Sequence, residues 1–256
     1  MFIGRKDELK QLETIYANEH SNVLVIYGRA GIGKTTLALK FCEKKHYIYY
    51  KAGDVSEAEQ IKGIEKAVIE KMADRDMEEE EAQEISRMVG LAALKYGDLS
   101  NQATKDYIFD IDRFTSFEGN TGPYILYTMV RIKSILEKLA SADGTAIDKI
   151  RNDVAFGNIK MGKTNREYGA SEVDLMLSLT GFSEAVHRAA DEYAPHKICA
   201  FVYELADRFN SFYHDNKIVT QEDADVRNEW VCLIVDVLNA LEICMDLLAI
   251  KVPDRM

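Results

Sequence analysis

The residues best suited to chemistry lie near the start of the chain, where the segment from Gly28 to Thr35 fits the pattern GxxxxGK[ST]. Glycines allow backbone N–H groups to converge on phosphate oxygens, and Lys34 can neutralise the terminal phosphates. Thr35 can ligate the magnesium of Mg-ATP. The sequence therefore predicts ATP with Mg²⁺ as the cofactor of a nucleotide site formed by Gly28, Gly31, Gly33, Lys34, Thr35 and Thr36.

The elements around this loop are those that a phosphate-binding loop requires. A short amphipathic helix is predicted over residues 4–17, a buried strand over 23–27, a helix over 35–45 and a second strand over 47–50. No convincing buried strand follows residue 56, although a complete nucleotide-binding α/β domain needs several more. The α/β pattern therefore covers only the first 60 residues or so.

Phosphoryl transfer also requires a carboxylate that binds the metal, and the sequence shows no convincing candidate for it. Residues 232–236 form an apolar run that ends in Asp236, but they lie inside a longer apolar stripe at helical spacing, residues 226–248. We therefore predict that this run is helical. The sequence favours nucleotide binding without hydrolysis.

Residues 2–9 and the loop at Gly28 together resemble the opening of the archaeal-type ATPase family, within the AAA and STAND-like group. The resemblance covers about residues 1–57. The acidic metal-site motif and the sensor regions of that family have no match in the rest of the chain.

Beyond the loop the pattern is helical. Apolar stripes at steps of three or four residues predict helices over 77–95, 124–139, 197–214 and 222–250. Residues 141–170 lack periodicity and predict an irregular, mobile excursion. The expected fold is mainly α, a helical bundle with a small N-terminal α/β P-loop unit. We divide the chain into residues 1–62 and 63–256, with the join between residues 56 and 77.

Composition excludes several classes of protein. A net charge of -11 argues against non-specific coating of nucleic acid, including DNA, because such binding depends on neutralising many phosphates. No apolar run has the length of a signal peptide or of a membrane span. The four cysteines are far apart and form no CxxC pair, which argues against a zinc site. We expect a cytoplasmic protein without a membrane partner.

Three sets of residues carry a second resemblance: 89–100, then 109–112 with 117–131, and finally 194–197, 209–214 and 252–256. In this order and spacing they are similar to the C-terminal part of arginyl-tRNA synthetases, the anticodon-binding domain class named DALR. The resemblance covers about residues 67–256. The tetrapeptide that names the class is not literally present, and Ala92 stands where glycine is common.

This resemblance implies binding of arginine tRNA at its anticodon loop. RNA loops are recognised by stacking splayed bases on aromatic rings and by hydrogen bonds to base edges. Tyr124, Tyr127 and Tyr213 offer such rings, and the resemblance places Tyr124, Tyr127 and Met256 at the loop. It also implies that Asn120, Arg131 and Asn210 lie nearby. From spacing alone, Arg131 could stack, reach a phosphate or pair with an acid.

The catalytic domain of such a synthetase, with its HIGH-like and KMSK-like signatures, has no counterpart in this sequence. We therefore expect no aminoacylation by the chain alone, which would act as a monomer or need a separate catalytic domain. Two alternatives remain open. The chain could be a nucleotide-dependent switch that uses the bundle to bind a protein, or a junction of two unrelated genes.

The loop at Gly28 generates the first testable prediction. Lys34→Ala removes the charge that faces the terminal phosphates, so it should abolish Mg-ATP binding in isothermal titration calorimetry. Lys40→Ala, further along the same predicted helix, is the control and should bind normally. We expect negligible ATP hydrolysis by the wild type, and robust hydrolysis that Lys34→Ala removes would show that a catalytic carboxylate was overlooked.

Overall fold

A computed structural model of the chain describes residues 5–17, 26, 34–43, 45, 57–71, 78–102, 107, 110–162 and 165–256. The chain divides into two compact units. The first comprises Met1–Tyr50 and Ala103–Ile108, and the second comprises Lys51–Gln102 and Phe109–Met256. The predicted division of the chain between residues 62 and 63 stays a prediction.

The described residues are mainly helical, which confirms the predicted mainly α bundle, while the small N-terminal α/β unit stays a prediction. The helices are α1 (Lys6–Tyr16), α2 (Lys34–Cys42), α3 (Glu57–Lys71), α4 (Glu79–Leu99), α5 (Ile111–Phe114), α6 (Gly122–Ala142), α7 (Ile147–Ala155), α8 (Ala170–Thr180), α9 (Phe182–Asp191), α10 (His196–Asp215) and α11 (Ala224–Leu247). A 3₁₀ turn, Ile218–Thr220, lies between α10 and α11.

In the first unit, α1 and α2 pack against each other. The rings of Tyr16 and Phe41 meet edge to face with centroids 5.8 Å apart, and the Lys45 ammonium lies 4.3 Å from the Phe41 centroid. Lys45 Nζ also lies 2.7 Å from Glu13 Oε1. These two helices lie where the sequence predicted helices, over 4–17 and 35–45, while the α/β P-loop unit itself stays a prediction. Its strands, at 23–27 and 47–50, lie outside the described residues except for Ile26.

In the second unit, α10 is the central helix and packs against α6, α8, α9 and α11. Its buried stripe repeats every three or four residues, as the sequence predicted, and consists of Ile198, Phe201, Val202, Leu205, Phe209 and Phe212. Residues 232–236 are helical within α11, with Asp236 exposed, which confirms that they are not a strand leading to a metal ligand.

Helix α3 contributes to the core of this unit by packing on α4. Val68 is fully buried and belongs to the main hydrophobic cluster, and Ile64 is only 7% exposed. A Cβ atom placed on Gly90 of α4 would lie 3.2 Å from Ile64 Cγ2, so the glycine admits the close approach. The bundle therefore includes a helix from the interval in which the sequence placed the join.

The prediction of an irregular excursion over 141–170 is wrong for residues 147–155, which form α7. The helix is nine residues long and only Ile150 is buried, so its apolar stripe is too short to show a period. Arg151 fixes it to α11: its Nη2 donates to Glu242 Oε2 at 2.6 Å and to Asn239 Oδ1 at 2.7 Å.

Residues 165–170, at the end of that segment, are anchored by an ionic cluster around Arg166. The guanidinium bonds both oxygens of Glu172 and lies 3.5 Å from Glu229 Oε2. Trp230 Nε1 and the Gly169 N–H each donate to Glu172 at 2.6 Å. Burial raises the pKa of Glu172, but these hydrogen bonds and the charge of Arg166 outweigh it, so the pKa lies below the ordinary value. Both carboxylates are almost inaccessible to solvent.

Within the described residues, every helix is too short or too polar to cross a lipid bilayer.

The packing of α3 generates a stability prediction. Val68→Ala leaves a void between α3 and α4 and should lower the free energy of unfolding of the full chain by about 2 kcal/mol. Ile69→Ala is the matched control, because that neighbouring side chain is 38% exposed and should cost less than about 1 kcal/mol. Urea denaturation followed by circular dichroism measures both. Equal effects would mean that α3 does not form part of the core.

Candidate functional site

The start of α6 places three predicted site residues on one helical face. Thr121 caps the helix: its Oγ1 accepts a hydrogen bond from the Tyr124 N–H at 3.2 Å and donates to the Ser116 carbonyl at 2.5 Å. Since Tyr124, Tyr127 and Arg131 follow at steps of three and four, they project from the same side of α6. That side meets α10, which carries Asn210 and Tyr213.

Asn210 joins the two helices through its side-chain amide. Its Nδ2 donates to the Tyr124 hydroxyl at 2.9 Å and to Thr128 Oγ1 at 3.0 Å. Its Oδ1 accepts a hydrogen bond from Arg131 Nη1 at 2.5 Å. One amide therefore fixes a ring, a buried hydroxyl and a guanidinium at the same time.

Arg131 lies against two aromatic rings. Its guanidinium carbon is 4.7 Å from the Tyr127 centroid and 5.7 Å from the Tyr213 centroid, within the range of cation–π contacts. Among the residues that the structure describes, no carboxylate lies within ion-pair distance of it. The guanidinium of Arg131 therefore contacts tyrosine rings of the chain itself, and its role in binding stays a prediction.

Tyr124 is half-buried, and its hydroxyl has a carboxylate neighbour. Asp207 Oδ1 lies 3.5 Å from it, and the ring of Tyr203 packs at 5.9 Å between centroids. Burial raises the pKa of Tyr124, the hydrogen bond from Asn210 opposes that shift, and the Asp207 charge reinforces it. The hydroxyl therefore stays protonated at neutral pH and can donate a hydrogen bond.

Further aromatic rings extend the cluster in both directions. Phe117 meets Tyr127 edge to face at 6.3 Å, and Phe209 stacks on Tyr213 at 6.1 Å. Phe117 and Tyr203 were not predicted as site residues, because the family resemblance that supplied the site residues did not assign them to the site. The rings form three pairs, and Phe209 is fully buried, so it supports Tyr213 from the core. The partly exposed rings of this cluster are called here the aromatic surface: Phe117, Tyr124, Tyr127, Tyr203 and Tyr213.

A cavity of about 560 Å³ adjoins this surface, where α10 ends and the 3₁₀ turn begins. Ile218, at 1% exposure, anchors the turn in the core. The lining contains the cations Arg131 and Lys217 and no acidic side chain among the described residues; its members are Arg131, Asn210, Tyr213, His214, Asn216, Lys217, Ile218, Val219 and Thr220. Lys217 and His214 were not predicted, since a lone cation near a helix end gives no sequence signal.

The two other predicted residues of this set have different surroundings. The single proton of the Tyr96 hydroxyl is shared between two acceptors, Asn120 Oδ1 at 2.6 Å and the Cys199 carbonyl at 2.9 Å. Burial raises the pKa of Tyr96 above its ordinary value. Met256 is 6% exposed and belongs to the hydrophobic cluster. Their roles in binding stay predictions.

Of the predicted nucleotide site, Lys34, Thr35 and Thr36 form the first turn of α2. Gly28, Gly31 and Gly33 lie outside the described residues, so the geometry of the whole loop stays a prediction.

Two family profiles match the chain. The profile of the DALR anticodon binding domain matches residues 125–256, slightly more than half of the chain. The chain belongs to the DALR anticodon-binding family. A second profile, described as an ATPase domain predominantly from Archaea, matches residues 2–139, so the first half belongs to that family as well. The two matches overlap at residues 125–139, within α6.

Individual relatives of this DALR chain are arginine–tRNA ligases. That of Agathobacter rectalis is 51% identical over 181 residues, or 71% of this chain and 28% of its own length. That of Alkaliphilus oremlandii is 47% identical over 197 residues, or 77% of this chain and 31% of its own length. The chain thus spans less than a third of the length of these relatives.

Solved structures with the same fold include two arginyl-tRNA synthetases. The match to the Thermus thermophilus enzyme has a TM-score of 0.64 at 23% identity and covers 87% of this chain and 38% of that enzyme's chain. The match to the Plasmodium falciparum enzyme has a TM-score of 0.59 at 20% identity and covers 82% of this chain and 34% of that enzyme's chain.

The arrangement at Asn210 generates a prediction for the DALR domain. Asn210→Ala removes all three hydrogen bonds and leaves Thr128, which is fully buried, without that donor. It should therefore lower the free energy of unfolding by about 1–3 kcal/mol in urea denaturation. Ser211→Ala, the exposed neighbour, is the control and should change it by less than about 0.5 kcal/mol. An unchanged stability of Asn210→Ala would refute the role of this amide in joining the helices.

Proposed function

We propose that the bundle binds the anticodon loop of arginine tRNA through the surface that Asn210 organises. The observation that carries this proposal is the combination of Tyr124, Tyr127 and Tyr213 with Arg131 beside a cavity whose described lining has no acidic residue. Unpaired bases stack on aromatic rings and on guanidinium planes. The cavity is large enough to receive an unpaired base.

The electrostatics favour a loop over a duplex as the ligand. A chain with net charge -11 cannot neutralise the many phosphates of a long helix. Arg131 and Lys217 instead place positive charge locally, at the cavity. Affinity then comes mainly from stacking and from hydrogen bonds to base edges, which suits recognition of a few splayed nucleotides.

Attachment of arginine to the tRNA is not part of this proposal for the chain alone. The chain spans less than a third of its ligase relatives, and no segment of the sequence supplies the HIGH-like or KMSK-like signatures. Bound tRNA would be charged only in concert with a separate catalytic domain.

A second proposed activity is ATP binding by the first unit. The family match over residues 2–139 and the position of Lys34 and Thr35 in the first turn of α2 support it. A helix that begins at the motif lysine is the arrangement that a P-loop uses to hold phosphates.

The proposed RNA contact generates a prediction about two kinds of side chain. Tyr124→Ala and Tyr127→Ala should each weaken binding to the arginine anticodon stem-loop by about 1–3 kcal/mol, because each removes a stacking ring. Their plots of log affinity against log salt should keep the wild-type slope. Lys217→Ala should reduce that slope by about one unit, because it removes a cation. Fluorescence anisotropy titrations at several salt concentrations measure both quantities.

Tyr193→Ala is the matched control, since this tyrosine is 92% exposed between α9 and α10 and away from the cavity lining. It should bind as the wild type does. The losses at Tyr124 and Tyr127 should be small for a stem-loop with a mutated anticodon. Equal losses for both RNAs would show that these rings do not read the anticodon.

A further inference from the structure

The segment after α11, residues 249–256, is called here the C-terminal tail. Ala249 has a φ of +53°, a left-handed conformation that turns the chain sharply away from the helix axis. Its carbonyl accepts a hydrogen bond from the Lys95 ammonium of α4. The tail therefore leaves α11 in a defined direction.

Two ionic contacts then hold the C-terminal tail on different helices. Lys133 Nζ of α6 donates to Asp254 Oδ1 at 2.9 Å and approaches the Pro253 carbonyl at 3.4 Å. The Arg255 guanidinium makes a two-point contact with the carboxylate of Glu81 on α4. Consecutive residues thus bond to α6 and to α4.

The apolar residues of the C-terminal tail point into the protein. Pro253 is buried and Met256 is 6% exposed within the main hydrophobic cluster, whereas the side chains of Asp254 and Arg255 are 96% and 62% exposed. A segment without regular secondary structure has no repeating backbone hydrogen bonds that fix its register, that is, its position along the neighbouring helices. The charged contacts at 254 and 255 supply that register for the flanking apolar side chains.

We propose that Glu81 and Lys133 are positioning residues for the RNA surface. By holding the C-terminal tail in one position, they keep Met256 packed in the main hydrophobic cluster. Helix α6, which carries Tyr124, Tyr127 and Arg131, contributes to the same cluster. Met256 then supports, from inside the core, the helix that carries the aromatic surface. This inference rests on the proposed anticodon binding.

The position of Met256 is tested without RNA by its oxidation. Hydrogen peroxide converts accessible methionine to the sulfoxide, and peptide mass spectrometry gives the rate at each position. In the full chain, Glu81→Gln and Lys133→Met should each raise the rate at Met256 about twofold to fivefold, as expected for loss of one exposed charged contact. Glu84→Gln and Lys138→Met, exposed on the same two helices, are the controls and should leave it unchanged.

Met129, which is fully buried in α6, is the internal reference for global unfolding. Its rate should stay at the wild-type value in all four variants. A Met256 rate that is equal in Glu81→Gln and Glu84→Gln, or that rises only together with Met129, would overturn the proposed positioning.

Binding of the arginine anticodon stem-loop completes the test. Glu81→Gln and Lys133→Met should each weaken binding by about twofold to fivefold and reduce the preference for the correct anticodon. Because Glu81→Gln makes the protein less acidic, a purely electrostatic effect would strengthen binding, and Glu84→Gln measures that effect. Unchanged affinity and preference, despite faster oxidation of Met256, would overturn the link to the RNA surface. If the wild type itself does not bind, the proposed function fails with that link, while the oxidation rates still report whether the tail is held.

Discussion

The close approach of α6 to α4 is the constraint on which the described bundle depends. A Cβ atom placed on Gly122, the first residue of α6, would lie 2.5 Å from the Ala92 carbonyl oxygen of α4. No side chain fits there, so glycine permits α6 to begin at this point. The next turn buries Ile125 and Leu126 completely. Once this start is fixed, helical geometry sets the direction of every functional side chain on α6.

The proposed function pairs an acidic protein with an anionic ligand. Part of the positive charge for such a ligand lies beside the aromatic surface, at Arg131. This guanidinium has no carboxylate partner among the described residues, and two rings and one amide hold it in place. Ordering a long side chain costs conformational entropy. Because contacts with Asn210 and the tyrosines order this side chain during folding, the guanidinium is already oriented before any ligand binds.

Much of the bundle could be predicted from the sequence, because α4, α6, α10 and α11 are long enough to show a helical period. The shared face of Tyr124, Tyr127 and Arg131 follows from that period as well. Their connection to Asn210 could not be derived, since hydrogen bonds between helices depend on how the helices cross. The short helix α7 and Lys217, a cation of the cavity lining, have no periodic signal. The resemblance to a family, and not spacing, pointed to Asn210.

The ionic cluster at Arg166 makes the packing of two helices depend on a residue that belongs to neither. Its two carboxylates come from α8 and from α11, which are far apart in sequence. Glu172 and Glu229 are 3% and 0% exposed, so these helices could not pack with both carboxylates charged unless a cation lay between them. Arg166, which precedes α8, supplies that cation. Loss of its guanidinium would therefore weaken the contact between α8 and α11.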